Sequence, residues 1–496
     1  MKTSLSEIRV ELAVSVVERH VDQVLVVPVF RDGPFLSPLK EIDREANGEI
    51  RHRLDRDRFE VEAEKTHWIE IPQVKCGRIL LTSLGSRNEF SRSALRAAYG
   101  AAARAVQERQ AENVSLAWIN DSKIARDFDA ALEGFLLGAY RFDRYRSEAA
   151  AKRRIRKVTV IGPDRRALDK LKKELPRILA VGHASFLARD LVNEPANVVN
   201  PALVQEMAGA IAKEQKLRLE VLDEKKLKGL GLNLILAVGM GSYERPRLVH
   251  LEYKPKGKAR ETVALIGKGV TFDSGGLSLK PQSNMYGMKC DMSGAAAVLA
   301  AAWGAAQLKL PVHLHVLMPL VENMPSGRSV RPGDIFKAGN GKTVEIENTD
   351  AEGRLILADT LAYAQRLGVD FAVDVATLTG ACMVALGDDV AGLFGNDRKL
   401  IDRIEAAAKR AGEKVWELPL EKAYHRLLKS DVADLKNVGG KYGGAITAAL
   451  FLEEFVGKMP WAHLDIAGPA FVDRDGAVGP KGGTGFAVRT FLELLS

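Results

Sequence analysis

Asn348-Thr349-Asp350-Ala351-Glu352-Gly353-Arg354-Leu355 sets two carboxylates two positions apart, with an arginine two residues further on. The apolar helical run Ile356-Leu357-Ala358-Asp359-Thr360-Leu361 follows at once. Upstream, Gly267-Lys268-Gly269-Val270-Thr271-Phe272-Asp273-Ser274-Gly275-Gly276-Leu277-Ser278-Leu279-Lys280-Pro281 has the same character. Between them, Met288-Lys289-Cys290-Asp291-Met292-Ser293-Gly294 opens the alanine-rich run 295–306. In each place an ionisable group sits among glycines and apolar residues. Such placement costs free energy unless something pairs the charge.

Around these motifs the pattern alternates between strand and helix. Strands are expected at 263–266, 312–320, 344–347, 371–376 and 461–466, and helices at 294–307, 355–367 and 444–456. In such sheets functional groups gather at the carboxyl ends of strands, and Lys268, Asp273, Asn348 and Thr377 each fall just past one. Further upstream, 217–221, 234–238 and 247–253 read as strands, and 201–213 as a helix capped near Asn200. Towards the N-terminus, strands at 24–30, 78–82, 114–119 and 157–162 alternate with helices at 93–110 and 127–146. A long helical pattern from Arg166 is broken at Pro176 and stops at Asn193-Glu194-Pro195. The fold class is therefore α/β in two domains. A smaller N-terminal α/β domain (1–165) is joined by a linker helix (166–195) to a larger mixed-sheet catalytic domain (196–496).

Composition narrows the class of protein. A chain of 496 residues is too long for one ordinary core. Its 46% hydrophobic and 27% charged residues describe a globular protein, and no apolar run approaches the ~20 residues of a membrane span. The three cysteines, Cys76, Cys290 and Cys382, are scattered, which fits a reducing compartment better than a disulfide framework. No secretory leader pattern opens the chain, so a cytoplasmic location is expected. The net charge of +8 is modest for this length, and Lys152-Arg153-Arg154-Ile155-Arg156-Lys157 is its sharpest basic cluster. Clusters of this kind are usually a solvated face.

The carboxylates carry the chemistry. Helix capping explains one aspartate at a helix mouth without any function. Four of them, Asp273, Asp291, Asp350 and Glu352, would repel one another if brought together without a cation. Hard oxygen donors at that density point to one or two divalent metals. Lys268 reads either as a turn lysine or as a neutral amine ligand whose pKa nearby dications depress. Lys280 reads as a loop lysine or as an ammonium that stabilises an oxyanion, and Arg354 as an ion-pair partner or an anion holder. Rival motifs fail. Gly341-Lys342-Thr343 lacks the earlier glycine of a phosphate loop, its place being Phe336, and is followed by a strand. Gly239-Met240-Gly241 lacks the third glycine of a dinucleotide fingerprint, and neither a Gly-x-Ser-x-Gly elbow nor His-Glu-x-x-His occurs. His313 and His315, alternating on one strand face, read as core or interface histidines, and the nine histidines supply no cluster.

The octapeptide 348–355, the glycine-rich stretch 267–281 and the segment 288–297 together resemble the leucyl (cytosol) aminopeptidase family of two-metal exopeptidases. Segments 322–334, 374–382 and 193–201 support the resemblance in correct order and spacing. It implies that Lys268, Asp273, Asp291 and Glu352 hold one metal, and Asp273, Asp350 and Glu352 the other. Lys280 and Arg354 match the catalytic positions, and Met288, Thr377, Leu378 and Gly380 those lining the substrate site. The implied cofactors are two divalent ions per subunit, Mn²⁺ or Zn²⁺, with bicarbonate at Arg354. Implied partners are short peptides with a free N-terminus and apolar first residues such as leucine, and five further copies in a homo-hexamer. A membrane partner is not expected. The alternative reading is a DNA-binding accessory protein, since some family members bind DNA; it rests on the +8 charge and the cluster at 152–157.

Overall fold

The computed structural model describes residues 4–14, 22–32, 34–72, 77–119, 121–147, 154–162 and 164–496. It divides into two compact units, one of Leu187–Asp473 with Gly482–Ser496 and the other of Lys2–Phe186 with Arg474–Lys481.

The N-terminal unit is built on a six-stranded sheet. Its strands are β1 (Arg9–Val14), β2 (Val24–Val29), β3 (Thr66–Glu70), β4 (Arg78–Ser83), β5 (Asn113–Ala117) and β6 (Lys157–Gly162), in the order β1-β6-β5-β2-β4-β3. All neighbours pair in parallel except the edge strand β3. β2 is buried along its whole length, as a strand covered on both faces must be, and it reads as a continuous apolar run. Ser91 caps the helix Arg92–Glu108 by accepting from the Ala94 amide at 3.1 Å. Asp121 caps the next helix, Ser122–Gly138, which therefore begins five residues before the expected 127. The non-helical dihedrals of Asp127 inside it mark a kink, the point at which the apolar periodicity becomes regular.

The larger unit holds a nine-stranded mixed sheet. It comprises β7 (Arg218–Leu222), β8 (Arg247–Tyr253), β9 (Thr262–Gly267), β10 (Gly269–Asp273) and β11 (His313–Asn323). Beyond a small separate sheet of β12 (Asp334–Lys337), β13 (Thr343–Ile346) and β17 (Leu435–Lys436), it continues with β14 (Phe371–Ala376), β15 (Val390–Gly395), β16 (Lys414–Glu417) and β18 (Trp461–Asp465). The order is β16-β15-β18-β14-β9-β11-β8-β7, with β10 on β11. The central strands β9, β10, β11, β14 and β18 run parallel, so their carboxyl ends share one edge. β7, β8 and β15 enter antiparallel. Helix Glu352–Gln365 packs its Leu355, Ile356, Leu357 and Leu361 into a core with Ile266, Leu317, Phe451 and Trp461. Each such side chain contributes roughly 1.5–3 kcal/mol on burial, which anchors the helix start at the sheet edge.

Two local expectations differ from the structure. Residues 234–238 form a helix, Asn233–Gly239, instead of a strand. A buried run of five apolar residues has no periodicity to separate the two. The choice is made by Asp359, whose Oδ2 accepts from the Leu234 and Ile235 amides at 2.7 and 3.2 Å, satisfying the helix N-terminus from a distant element. The helix Arg165–Asn193 runs through Pro176 without a break, and the two compact units divide within it, after Phe186.

Candidate active site

The parallel edge gathers groups from five strands. Lys268 follows β9, Asp273 ends β10, Asn323 ends β11, Thr377 follows β14 and Asp465 ends β18. Onto this edge the loop 347–351 delivers Asp350, and the helix that follows delivers Glu352 in its first turn. The loop is fixed from below by Asn437, which is wholly buried. Its Oδ1 accepts from the Glu347 amide at 2.9 Å, and its Nδ2 donates to the Asn348 carbonyl at 2.7 Å. Thr349 ties the loop to the glycine turn, donating to the Gly275 carbonyl at 2.6 Å and accepting from the Ser278 amide at 2.8 Å. Gly275 and Gly276 take φ of +86° and +64°, a region that L-residues with a side chain rarely adopt, so the turn requires them.

Within this frame Lys268, Asp273, Asp291 and Glu352 are each at most 4% exposed. Lys268 Nζ lies 2.7 Å from Asp291 and 2.9 Å from Glu352, and donates to the Thr377 carbonyl at 2.9 Å. Lys280 Nζ lies 2.8 Å from Asp273 and 2.5 Å from Asp350. One carboxylate oxygen each from Asp273, Asp350 and Glu352 falls within 4.8 Å of the others. Asn323 donates to Asp273 at 2.8 Å, and the Thr377 hydroxyl to Asp291 at 2.8 Å. Five of the eleven residues expected at the site thus form one knot, with Lys268, Asp273, Asp291 and Glu352 buried and Asp350 half-buried, and Lys280 bridges Asp273 to Asp350.

The electrostatics follow from burial. Four acids face two lysines. Burial and the neighbouring Glu352 push Asp273 above the ordinary carboxylate range despite both lysines. Burial likewise raises Asp291 and Asp350. At Lys268 burial opposes the charge, but Asp291, Glu352 and Asp273 outweigh it and hold the ammonium above the usual lysine range. Lys280 is raised for the same reason, chiefly by Asp273 against its own burial. Arg354, whose Nη1 donates to the Asn437 carbonyl at 2.8 Å, is brought down by burial to about 10. Its buried Nε has no hydrogen-bond partner, and neither has Asp291 Oδ2. A buried carboxylate oxygen left over, within an acid-rich oxygen and amine donor set, fits divalent cations.

The remaining expected positions surround the knot. Met288 is half-buried in the short turn Met288–Cys290, and Thr377 and Leu378 are half-buried after β14. Gly380 is exposed at the start of helix Gly380–Leu386. Asp465, buried at the end of β18, holds this loop by accepting from the Leu378 amide at 3.2 Å and the Thr379 hydroxyl at 2.6 Å. Asn323, Thr349, Asn437 and Asp465 escaped sequence reasoning. Asn323 and Asp465 at least carry a signal, since each is a polar residue closing an apolar strand. The expectation of no histidine cluster is wrong: antiparallel pairing of β8 with β11 brings His250, His313 and His315 together. The basic cluster at 152–157 lies partly outside the described residues. Of its described members, Arg154 pairs with Asp143, Arg156 with Glu112 at 3.8 Å and Lys157 with Asp22 at 2.7 Å.

The acid-and-lysine knot at the carboxyl edge of this α/β sheet is a candidate divalent-metal centre. The chain belongs to the cytosol aminopeptidase family, matching its catalytic-domain model over residues 186–492 and its N-terminal-domain model over 26–149. A probable cytosol aminopeptidase of Aquifex aeolicus is 45% identical over 421 residues, 84% of either chain. One of Solibacter usitatus is 43% identical over 474 residues, 95% of either chain. Among solved structures, the bottromycin maturation enzyme BotP in complex with Mn is 39% identical, with a TM-score of 0.84 over 96% of this chain and 99% of that one. A mutant of tomato leucine aminopeptidase is 36% identical, with a TM-score of 0.88 over 98% of this chain and 96% of that one. This chain is accordingly a metal-dependent aminopeptidase, a hydrolase of peptides. Among the described residues no helix is long and apolar enough to cross a membrane.

Proposed function

We propose that the chain removes leucine and other apolar residues from the free N-termini of short peptides, using two divalent ions per subunit, Mn²⁺ or Zn²⁺. The observation that carries this reading is the convergence of four carboxylates, three of them buried, on Lys268 and Lys280. Lys268, Asp273, Asp291 and Glu352 would hold one ion, and Asp273, Asp350 and Glu352 the other. Bound there, two dications supply an acidified water and Lewis acidity towards the substrate.

The chain's own groups do the rest. Lys280 keeps its proton at neutral pH and offers Nζ–H to the oxygen that gains charge as the peptide carbonyl is attacked. Arg354, with a spare buried Nε, holds an anion by charge-assisted hydrogen bonds, and bicarbonate is the expected one. No histidine belongs to the knot, so a held anion is a reasonable carrier of the proton to the leaving amine. Thr377 orients both Lys268 and Asp291, and Met288 with Leu378 offers apolar surface to the first side chain. Assembly as a hexamer in the cytoplasm completes the proposal. Its test is hydrolysis of leucine p-nitroanilide by chelator-stripped protein with Mn²⁺ or Zn²⁺ restored. Activity that follows the metal supports it, and inertness of the folded protein with either metal refutes it.

Two quantitative outcomes are expected. Lys280→Met is expected to lower kcat by about 100- to 1000-fold at saturating metal, the scale of losing one oxyanion donor, with KM little changed. A loss confined to KM would assign Lys280 to substrate binding instead. Second, metal uptake should release protons. Lys268 is an ammonium in the metal-free chain, and Asp273, Asp291 and Asp350 are shifted towards their protonated forms. Lys268 must lose its proton to ligate, so affinity rises with pH, about tenfold per unit for that proton. Calorimetry of Mn²⁺ binding in buffers of different ionisation enthalpy reads this directly, and a buffer-independent heat would contradict it.

A further inference from the structure

We propose that Glu252, His313 and His315 form a second metal site on this chain, of the Zn²⁺ type and separate from the acid-and-lysine knot. The register of β11 against β8 places His315 directly opposite Glu252. His313, two residues earlier on the same strand, projects from the same face. The intervening Leu314 and the next residue, Val316, are wholly buried on the other face. One ligand atom from each of Glu252, His313 and His315 lies within 4.8 Å of the other two, and His313 Nε2 is 2.9 Å from Glu252 Oε1. Asn323 at the knot lies eight positions along the strand from His315, roughly 26 Å at about 3.3 Å per residue.

The surroundings are those of a ligating imidazole. His315 Nδ1 lies 2.9 Å from His250 Nε2, and His250 Nδ1 lies 3.3 Å from the Tyr363 hydroxyl. A lone pair on His315 Nε2 requires this chain to run one way. Nδ1–H of His315 donates to His250, and Nδ1–H of His250 donates to Tyr363. Metal-bound histidines regularly have such an acceptor behind them, fixing tautomer and ring orientation. Burial brings His315 down to about 4 and lowers His250, so both rings are neutral at pH 7. Burial pushes Glu252 up, but Lys254 and His313 outweigh it and hold the carboxylate at about 2.

The groups already serving Glu252 are displaceable. Lys254 Nζ sits 2.9 Å from Oε1 with its side chain 64% exposed, and Arg218 lies 3.5 Å from Oε2 with its side chain 72% exposed. Both cations return to solvent when displaced, so neither is left as a buried unpaired charge. Four-coordinate zinc spaces its ligand atoms about 3.3 Å apart, given bonds of roughly 2.0–2.1 Å. Rotation of the partly exposed His313 side chain, at 22%, supplies the contraction. Two imidazoles and one carboxylate, with a fourth position open, suit Zn²⁺, Co²⁺ or Ni²⁺ rather than the oxygen-preferring Mg²⁺ or Mn²⁺. An ion there would clasp β8 to β11, with Tyr363 on the helix that begins at Glu352 as its outer support.

The test compares full-length protein with His313→Asn and His315→Gln after equilibration with Zn²⁺ and removal of excess. The parent is expected to hold one more Zn²⁺ per chain than either variant, while hydrolysis by His313→Asn stays unchanged. His250→Phe should weaken that extra Zn²⁺ by about 10- to 100-fold, as loss of the hydrogen-bond partner of a ligating histidine does. Co²⁺ in place of Zn²⁺ should give the intense visible absorption of a tetrahedral site, absent from His313→Asn. Equal Zn²⁺ content in parent and both variants would overturn the proposal. If His315→Gln does not fold, the more exposed His313→Asn decides alone.

Discussion

Glu352→Gln is expected to abolish hydrolysis of leucine p-nitroanilide, by on the order of a thousandfold or more, the scale on which catalytic groups are lost. Glutamine keeps the volume and the helix start, so the change is one of charge. Glu352 lies 2.9 Å from Lys268 and belongs to the triplet of carboxylate oxygens with Asp273 and Asp350. In the proposed arrangement it is shared by both ions, so its loss weakens both positions at once, whereas loss of Asp291 or Asp350 weakens one. Metal content measured after dialysis should therefore fall below two ions per chain at the knot, in step with the rate. A Glu352→Gln protein that retains full metal and near-parental turnover would remove Glu352 from the site and with it the two-ion reading.

Gly353→Ala should produce a loss nearly as large by a different route. Alanine is the better helix former by about 1 kcal/mol at an interior position, so propensity alone predicts a more stable protein. The space is already taken. A Cβ at residue 353 would lie 2.6 Å from Lys268 Cε and 2.7 Å from Lys268 Nζ. Lys268 is held by Asp291, Glu352 and the Thr377 carbonyl, so it yields only by leaving the knot. Metal affinity is then expected to fall by at least about 10- to 100-fold, the range seen when ligand positioning fails. Activity should fall with it and recover partly at high metal concentration. The check is a metal titration of activity beside a melting curve. Parental metal dependence in a folded Gly353→Ala protein would mean Lys268 is not needed where it stands.

Much of the site is legible before any coordinates, because its chemistry is written into local motifs. A carboxylate between glycines or at a helix mouth is costly enough to be conspicuous, and each of Asp273, Asp291, Asp350 and Glu352 stands in such a place. The residues that hold these groups in position are less visible. Asn437 sits in no recognisable motif, yet its buried amide carries the 347–351 loop and its carbonyl accepts from Arg354. Asp359 reads as one polar residue in an apolar helix. It is a capping group for another helix, and burial lifts its carboxyl to about 7 even against three amide donors.

The sequence by itself determined the α/β class, the two-domain organisation, the family and most of the charged residues brought to the sheet edge, Asp465 excepted. Those features are local: period, turn residues and ionisable groups within a few positions of one another. The tertiary structure alone decided that residues 234–238 form helix, that Asn437 and Asp465 hold the loops of the site, and that three histidines meet Glu252 and Tyr363 across β8 and β11. Each depends on which distant strand or helix lies alongside. Strand register has a period of two residues, and a shift by one would turn His315 and Glu252 to opposite faces. That choice is made by the packing of the whole sheet and leaves no trace within either segment.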